Sequence, residues 1–341
     1  MPQKPKKNYD AVDVAKLFFC ICIVITHTKM VRYLPQGIRG IVNAVVVRAS
    51  VPFFFVASGF FLYLNVQARG AGPACKKYVT RMLQPLIIFE TIGELLFIAF
   101  KLYQGTPLSK IMVSVRREVI FYPRASMWFL QACIVGCILL YFFYRMKTPI
   151  IVPVLIGCAL FSFALLANNY RFVADALGMG EQIDLYLKNC ISPRNGLFYG
   201  FLFMALGGAV AEWRLTERLD AGTLAILLAA AFVIYELEAV LLRGTATSDD
   251  GSLFISQAFA IPLLFTALCR IEKRIACSDT CRRYSTGIYY LQKIVLYIVE
   301  SAFIILGRDL PPIVAFTTVM VISTLICFIS YRHPRIGRYL Q

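Results

Sequence analysis

Residues 12–30 read VDVAKLFFCICIVITHTKM, from Val12 to Met30. An apolar run of this length matches the roughly 20 residues that a helix needs to cross a bilayer. It lacks the strict alternation of a barrel strand, so the period points to a helix. It is also longer than the core of a cleaved leader and ends in His-Thr-Lys-Met, without a small-residue cleavage site. The sequence therefore predicts a retained first membrane helix behind the basic start MPQKPKKNYD.

Comparable runs recur along the chain. They predict an all-α integral membrane protein, a bundle of about ten helices near 12–30, 47–66, 82–102, 128–144, 149–168, 197–211, 221–242, 253–269, 286–306 and 313–331. Composition agrees: 59% of the 341 residues are hydrophobic, against about 45–50% in soluble domains. Backbone polar groups in lipid must be satisfied within each segment, which helices do. Residues 1–341 are expected to form a single membrane domain with short tails at 1–11 and 332–341, with the lipid bilayer as its first expected partner.

The formal charge of +16 is read as a topology signal, not as nucleic-acid binding, because no basic stripe with interleaved aromatics lies outside the spans. With a cytoplasmic N-terminus, inner segments hold about 19 Lys and Arg in about 65 residues, against about 11 in about 85 outside. Among the inner ones are Lys4, Lys6, Lys7, Lys76, Lys77, Arg81, Arg335 and Arg338. Both termini are thus expected in the cytoplasm of a multi-pass cell-membrane protein, of the kind found in a bacterial inner membrane. The long outer segments, about 31–46, 103–127 and 169–196, are where a binding site would be built. Most of the eleven cysteines lie inside apolar runs and read as small hydrophobes. Cys277 and Cys281 have no further ligands near them in sequence, so no metal site is expected.

Ionisable residues within spans are costly and are functional candidates by default. His27 is one of two histidines, and its chemistry suits proton transfer near neutrality. It reads either as a base or as an interfacial histidine. Lys16 precedes it by eleven residues, which returns to nearly the same helix face about 16 Å away. Asp13, three residues before Lys16, can pair with it; a plain helix-start ion pair is the competing reading. Arg48 would offset charge on an oxyanion or anchor the interface. Pro52, Ser58 and Gly59 allow a kink and close helix contact. Glu90, Glu94, Glu236, Glu238 and Glu300 would suit the polar path of a transporter or permease for a small polar metabolite such as an amino acid.

Several of these segments resemble one family. Asp13-Val-Ala-Lys16 with Thr26-His27-Thr28 looks like the first helix of the acyltransferase-3 family of membrane acyltransferases. Arg48 followed by Val51-Pro-Phe-Phe-Phe55 and Ser58-Gly-Phe-Phe61 resembles its second. Trp128-Phe-Leu130, Arg194-Asn-Gly-Leu-Phe198 with Gly207, and Gly287-Ile-Tyr-Tyr-Leu291 are similar to later segments, in order. The resemblance implies about ten helices and transfer of an acyl group, usually acetyl from acetyl-CoA, to a hydroxyl of an extracytoplasmic glycan or other surface acceptor. Acyl-CoA is then a co-substrate, and no bound cofactor is expected. His27 would be the base. Two departures stand out. Lys16 replaces an arginine common in the family, keeping charge but losing the bidentate fork. Gln292 replaces a common histidine and cannot titrate.

On that reading Lys16, Lys76, Lys77 and Arg81 would meet the donor's phosphates. For Lys76, Lys77 and Arg81, topology signal alone is the competing account. Trp128, Arg194 and Asn195 would hold the acceptor, with Trp128 read equally as an interface anchor. Asp13, Ser58 and Gln292 would support the site.

Overall fold

The computed structural model describes residues 8–243, 245, 251–333, 337 and 340. Lys4, Lys6, Lys7, Arg335 and Arg338, counted above for topology, lie outside them. Among the described residues there are helices and turns but no strand. In chain order the α-helices are α1 (Asp10–His27), α2 (Gln36–Ile41), α3 (Ser50–Arg69), α4 (Ala71–Tyr103), α5 (Leu108–Phe121), α6 (Trp128–Arg145), α7 (Ile151–Leu166), α8 (Arg171–Ala176), α9 (Gly180–Cys190), α10 (Phe201–Glu212), α11 (Leu215–Arg218), α12 (Ala221–Leu241), α13 (Gln257–Cys269), α14 (Ser278–Ile305) and α15 (Pro312–Arg332). Six of them, α3, α4, α6, α12, α14 and α15, are long and apolar enough to cross a membrane. The segments Ile151–Leu166, Gly196–Glu212 and Gln257–Cys269 are apolar but shorter. α1 carries Asp10, Asp13 and Lys16 in its first two turns.

Helix ends differ from the hydrophobic runs for local reasons. α1 stops at His27, before Met30. There the Thr28 hydroxyl donates back to the Val24 carbonyl at 2.8 Å, and Lys29 turns left-handed at φ 57°. The second long helix starts at Ser50, so Arg48 lies in the turn that follows a π-helical stretch, Val42–Val47. Pro52 therefore falls in the first turn of α3, where its missing N–H costs nothing, and makes no kink. Gly70, at φ 83°, separates α3 from α4. α4 begins eleven residues before its apolar run and has 33 residues, about 50 Å at 1.5 Å per residue. Its first turns lift Lys76, Lys77 and Arg81 clear of the apolar part. α14 extends in the same way and carries Arg282 and Arg283 in its opening turns. The outer segments expected as loops contain α2, α5, α8 and α9.

The centre of the bundle is α10, the shortest expected span. Nearly every residue from Phe201 to Val210 is buried. Glycines let its neighbours approach. A Cβ on Gly59 would fall on the Met204 carbonyl, and one on Gly207 would fall on the Val56 carbonyl. The α3 and α10 backbones are thus in direct contact, the small-residue packing expected between membrane helices. α1 packs along α14, where the Cys20 thiol donates to the Ser285 carbonyl at 3.2 Å. α1, α3 and α14, with the starts of α4 and α6, leave a space between them.

Candidate active site

That space is a cavity of about 1410 Å³. Asp13, Lys16, Ile23, Thr26 and His27 of α1 line it. Their spacing is that of one helical face, so the Lys16–His27 stripe faces the cavity along its length. α3 contributes Val51, Phe54, Ser58, Phe61, Asn65 and Arg69, again at steps of three and four. The remaining walls come from α4, α6, α14 and the segments that connect helices, among them those carrying Arg48, Ser126, Arg194 and Arg274.

At the end nearest the start of α1 the walls are charged. Lys16, Arg69, Lys77, Arg81, Arg274 and Arg282 line the cavity there, with Asp10, Asp13 and Asp279. Asp13 forms the expected pair with Lys16 at 2.8 Å. Its other oxygen is 3.6 Å from Arg282. The Lys16 ammonium also sits 5.1 Å from the Phe61 ring centre. The ion pair and the cavity-lining role are therefore both met by the same two residues. Lys76 is exposed and is not among the lining residues.

At the far end the walls carry His27, Arg48, Ser126, Trp128 and Arg194. Trp128 is 7% exposed. It is an internal wall, not an interface anchor. Its indole stacks on Tyr122 with centroids 5.4 Å apart, and the Arg194 guanidinium lies 5.6 Å from each ring. Asn195 does not line the cavity. Its carbonyl oxygen accepts from the Leu197 and Phe198 amides at 3.0 Å each, and its amide donates to the Tyr186 hydroxyl at 2.8 Å. It caps the π-helical turn Gly196–Gly200 ahead of α10. Ser58 lines the cavity, whereas Gln292 is buried away from it, with neither polar side-chain atom hydrogen-bonded.

His27 has a partner that its own helix does not reveal. Its Nε2 is 3.1 Å from Ser126 Oγ. Ser126 is 5% exposed and adopts a left-handed backbone at φ 62°. Such a conformation costs a non-glycine residue about 1–2 kcal/mol, and the surroundings hold it. Tyr289, which also lines the cavity, donates its hydroxyl to the Ser126 carbonyl at 2.5 Å. The Glu90 carboxylate accepts the Arg124 amide at 2.7 Å and the Ala125 amide at 3.2 Å. Arg124 in turn pairs with Glu94 at 3.3 Å and Glu118 at 2.9 Å, over the Phe97 ring. Arg48 and Arg194 line the same cavity as His27.

Three of the intramembrane glutamates are engaged with neighbouring loops. Glu90 and Glu94 hold the loop that presents Ser126. Glu238 accepts from the Tyr170 hydroxyl and from the Ile255 and Ser256 amides, ahead of α13. None of Glu90, Glu94, Glu236, Glu238 and Glu300 is among the residues lining the cavity. From the sequence Glu90 reads only as part of a polar path and Tyr289 only as part of a family-like segment, and Ser126 and Arg124 have no assigned role. The signals available were Glu90 inside an apolar run, and the closeness of Ser126 to Trp128-Phe-Leu130.

Fold and cavity together define a multi-pass helical membrane protein with an internal site that joins a cationic end to a histidine. The chain belongs to the acyltransferase-3 family: it matches that family's acyltransferase domain over residues 9–332. It is 24% identical over 213 residues to an amino-acid racemase of Enterococcus faecalis, covering 60% of this chain and 28% of the relative. A second amino-acid racemase of that organism is 21% identical over 304 residues, covering 87% and 42%. A serine/alanine racemase of Enterococcus gallinarum is 22% identical over 277 residues, covering 76% and 37%. The chain spans less than half the length of these relatives. No solved structure matches it.

Proposed function

We propose that this protein transfers an acyl group, acetyl in the simplest case, from cytoplasmic acyl-CoA to a hydroxyl of an extracytoplasmic acceptor such as a surface glycan. The observation that carries the reading is one cavity reaching from six cationic side chains to His27. The density of basic residues supports a ten-span topology with both termini cytoplasmic, in a membrane such as the bacterial inner membrane. The cationic end then faces the donor. Lys16, Lys77 and Arg81 meet the phosphates of CoA, as point charges and a fork respectively. Arg69, Arg274 and Arg282 add to that field. The pantetheine arm follows the α1 face toward His27, a span of about 16 Å. There the thioester carbonyl meets a base within reach of hydroxyl protons. Arg48 offsets charge on the tetrahedral intermediate. Trp128, Tyr122 and Arg194 form a stacking wall for the acceptor; aromatic faces suit a sugar ring.

The test is a His27→Ala variant assayed for transfer from labelled acetyl-CoA in membranes. Transfer falls by at least about 10²-fold if His27 is the base. Undiminished transfer at normal protein level sinks the assignment.

A second reading has one specific support, the amino-acid racemase names of the relatives. On it, the same cavity conducts a small polar metabolite such as an amino acid, without acyl transfer. Accumulation of that solute in proteoliposomes lacking acyl-CoA would favour it over the first reading.

A further inference from the structure

We propose that Ser126 carries the acyl group as a covalent ester between donor and acceptor, with His27 as the base for both half-reactions. The proposal rests on the acyl-transfer reading above and adds the order of its steps.

The argument starts from what His27 already touches. Its Nε2 is engaged with Ser126 Oγ at 3.1 Å. With Nε2 as acceptor, the first proton within the histidine's reach is the one on Ser126. An acceptor hydroxyl would have to displace Ser126 to reach the same lone pair. A nucleophile and a base within hydrogen-bond reach form the pair that activates a serine. Here Tyr289 holds the Ser126 carbonyl on one side, and Glu90 holds the two preceding amides on the other.

The backbone is the second observation. A serine that only oriented the imidazole could sit on relaxed backbone. Ser126 instead stands at φ 62°, on a turn immediately before α6. Left-handed non-glycine residues persist where the surroundings over-determine them, and they cluster at reacting groups. Strained turns into a helix are used elsewhere to expose a nucleophilic serine. Ser126 lines the cavity, on the path of a thioester entering along α1.

The steps balance. The Ser126 proton passes to His27 Nε2 as Oγ bonds to the thioester carbonyl carbon. The carbon–sulfur bond then breaks, and the CoA thiolate takes the proton from the imidazolium. CoA leaves as the free thiol. His27 next takes the proton of an acceptor hydroxyl, whose oxygen bonds to the same carbonyl carbon. The bond to Oγ breaks, and the proton returns to Ser126. No oxidant or reductant is needed.

The experiment uses the full chain in nanodiscs with [14C]acetyl-CoA and no acceptor, quenched in acid and mapped by peptide mass spectrometry. The expected result is about one acetyl per chain on Ser126, a matching burst of free CoA, and loss of both in Ser126→Ala and His27→Ala. Ser126→Cys guards against a variant that fails to fold. It keeps a nucleophile, and its label becomes a thioester cleaved by neutral hydroxylamine, which leaves the serine ester intact. The proposal is overturned if acetyl reaches a membrane acceptor while Ser126 stays unlabelled and Ser126→Ala keeps the parent rate; direct transfer with His27 as base would then stand. It is equally overturned if the label in Ser126→Cys resists neutral hydroxylamine. If the parent neither binds acetyl-CoA nor releases CoA, the acyl-transfer reading itself fails, and this proposal falls with it.

Discussion

Replacing Glu90 with glutamine tests whether the loop ahead of α6 is what holds Ser126 against His27. The carboxylate is 6% exposed and uses both oxygens, one on the Arg124 amide and one on the Ala125 amide. Glutamine has the same shape but a single acceptor oxygen, so its NH2 group must face one of the two N–H donors. One charge-assisted hydrogen bond is lost, and a buried amide is left without a partner. Each effect is worth about 1.5–3 kcal/mol. They describe the same broken contact and do not add, so about 2–3 kcal/mol is the expected cost of holding the loop. At 1.4 kcal/mol per decade, this lowers the equilibrium constant for holding Ser126 in place by roughly 30- to 150-fold. Glu90 does not line the cavity, so acyl-CoA binding should be unchanged while the transfer rate falls. The assay is transfer from labelled acetyl-CoA in membranes at matched protein level, with CoA affinity measured in parallel. A Glu90→Gln protein that transfers within about twofold of the parent refutes the reasoning. The tethers at Tyr289 and Arg124 would then suffice to position Ser126.

Two further predictions concern the scaffold. Gly59→Ala forces a methyl onto the Met204 carbonyl, and backbone cannot swing aside as a side chain does. The cost should reach or exceed the upper part of the ~1–3 kcal/mol range for overpacking, read as a lower unfolding temperature in detergent. Gly72→Ala, inside α4 with open space around it, should instead be neutral or stabilising by about 0.5–1 kcal/mol; equal effects from the two would show that the α3–α10 contact is not tight. Between α8 and α9, the Arg171 fork binds Asp184 at 2.7 and 2.9 Å and holds its carboxyl below the usual carboxylate range. A depressed acid contributes stability that is present above its unfolded value, near 3.9, and lost as pH falls through the folded one. Asp184→Asn should therefore unfold at a lower temperature than the parent at pH 7, with the gap closing in strong acid; a gap that persists unchanged at low pH would remove the charge from the explanation.

Residues along one helix could be read from sequence because the helical period relates them. Asp13, Lys16 and His27 lie on one face by spacing alone, and all three line the cavity. Trp128 and Arg194 could be named as candidates, but not joined. Their meeting across Tyr122 depends on where α6 and the turn before α10 come together. Asn195 shows the reverse case. Its residue type suits ligand binding, yet both ends of its amide are committed to the local turn and to Tyr186. α10 comes from the shortest of the expected spans. A helix enclosed by protein on all sides needs small residues for contact more than it needs length.

By itself the sequence determined that this chain is a helical membrane protein, and which face of its first helix carries Lys16 and His27. Hydrophobic runs and the 3.6-residue period are local properties, legible without knowing what packs where. Only the tertiary structure decided what His27 touches. Ser126 is 99 residues away in the chain. Its strained turn is fixed by Glu90 from α4 and Tyr289 from α14. No local pattern encodes that meeting, because its position is set by the packing of four separate segments around one cavity.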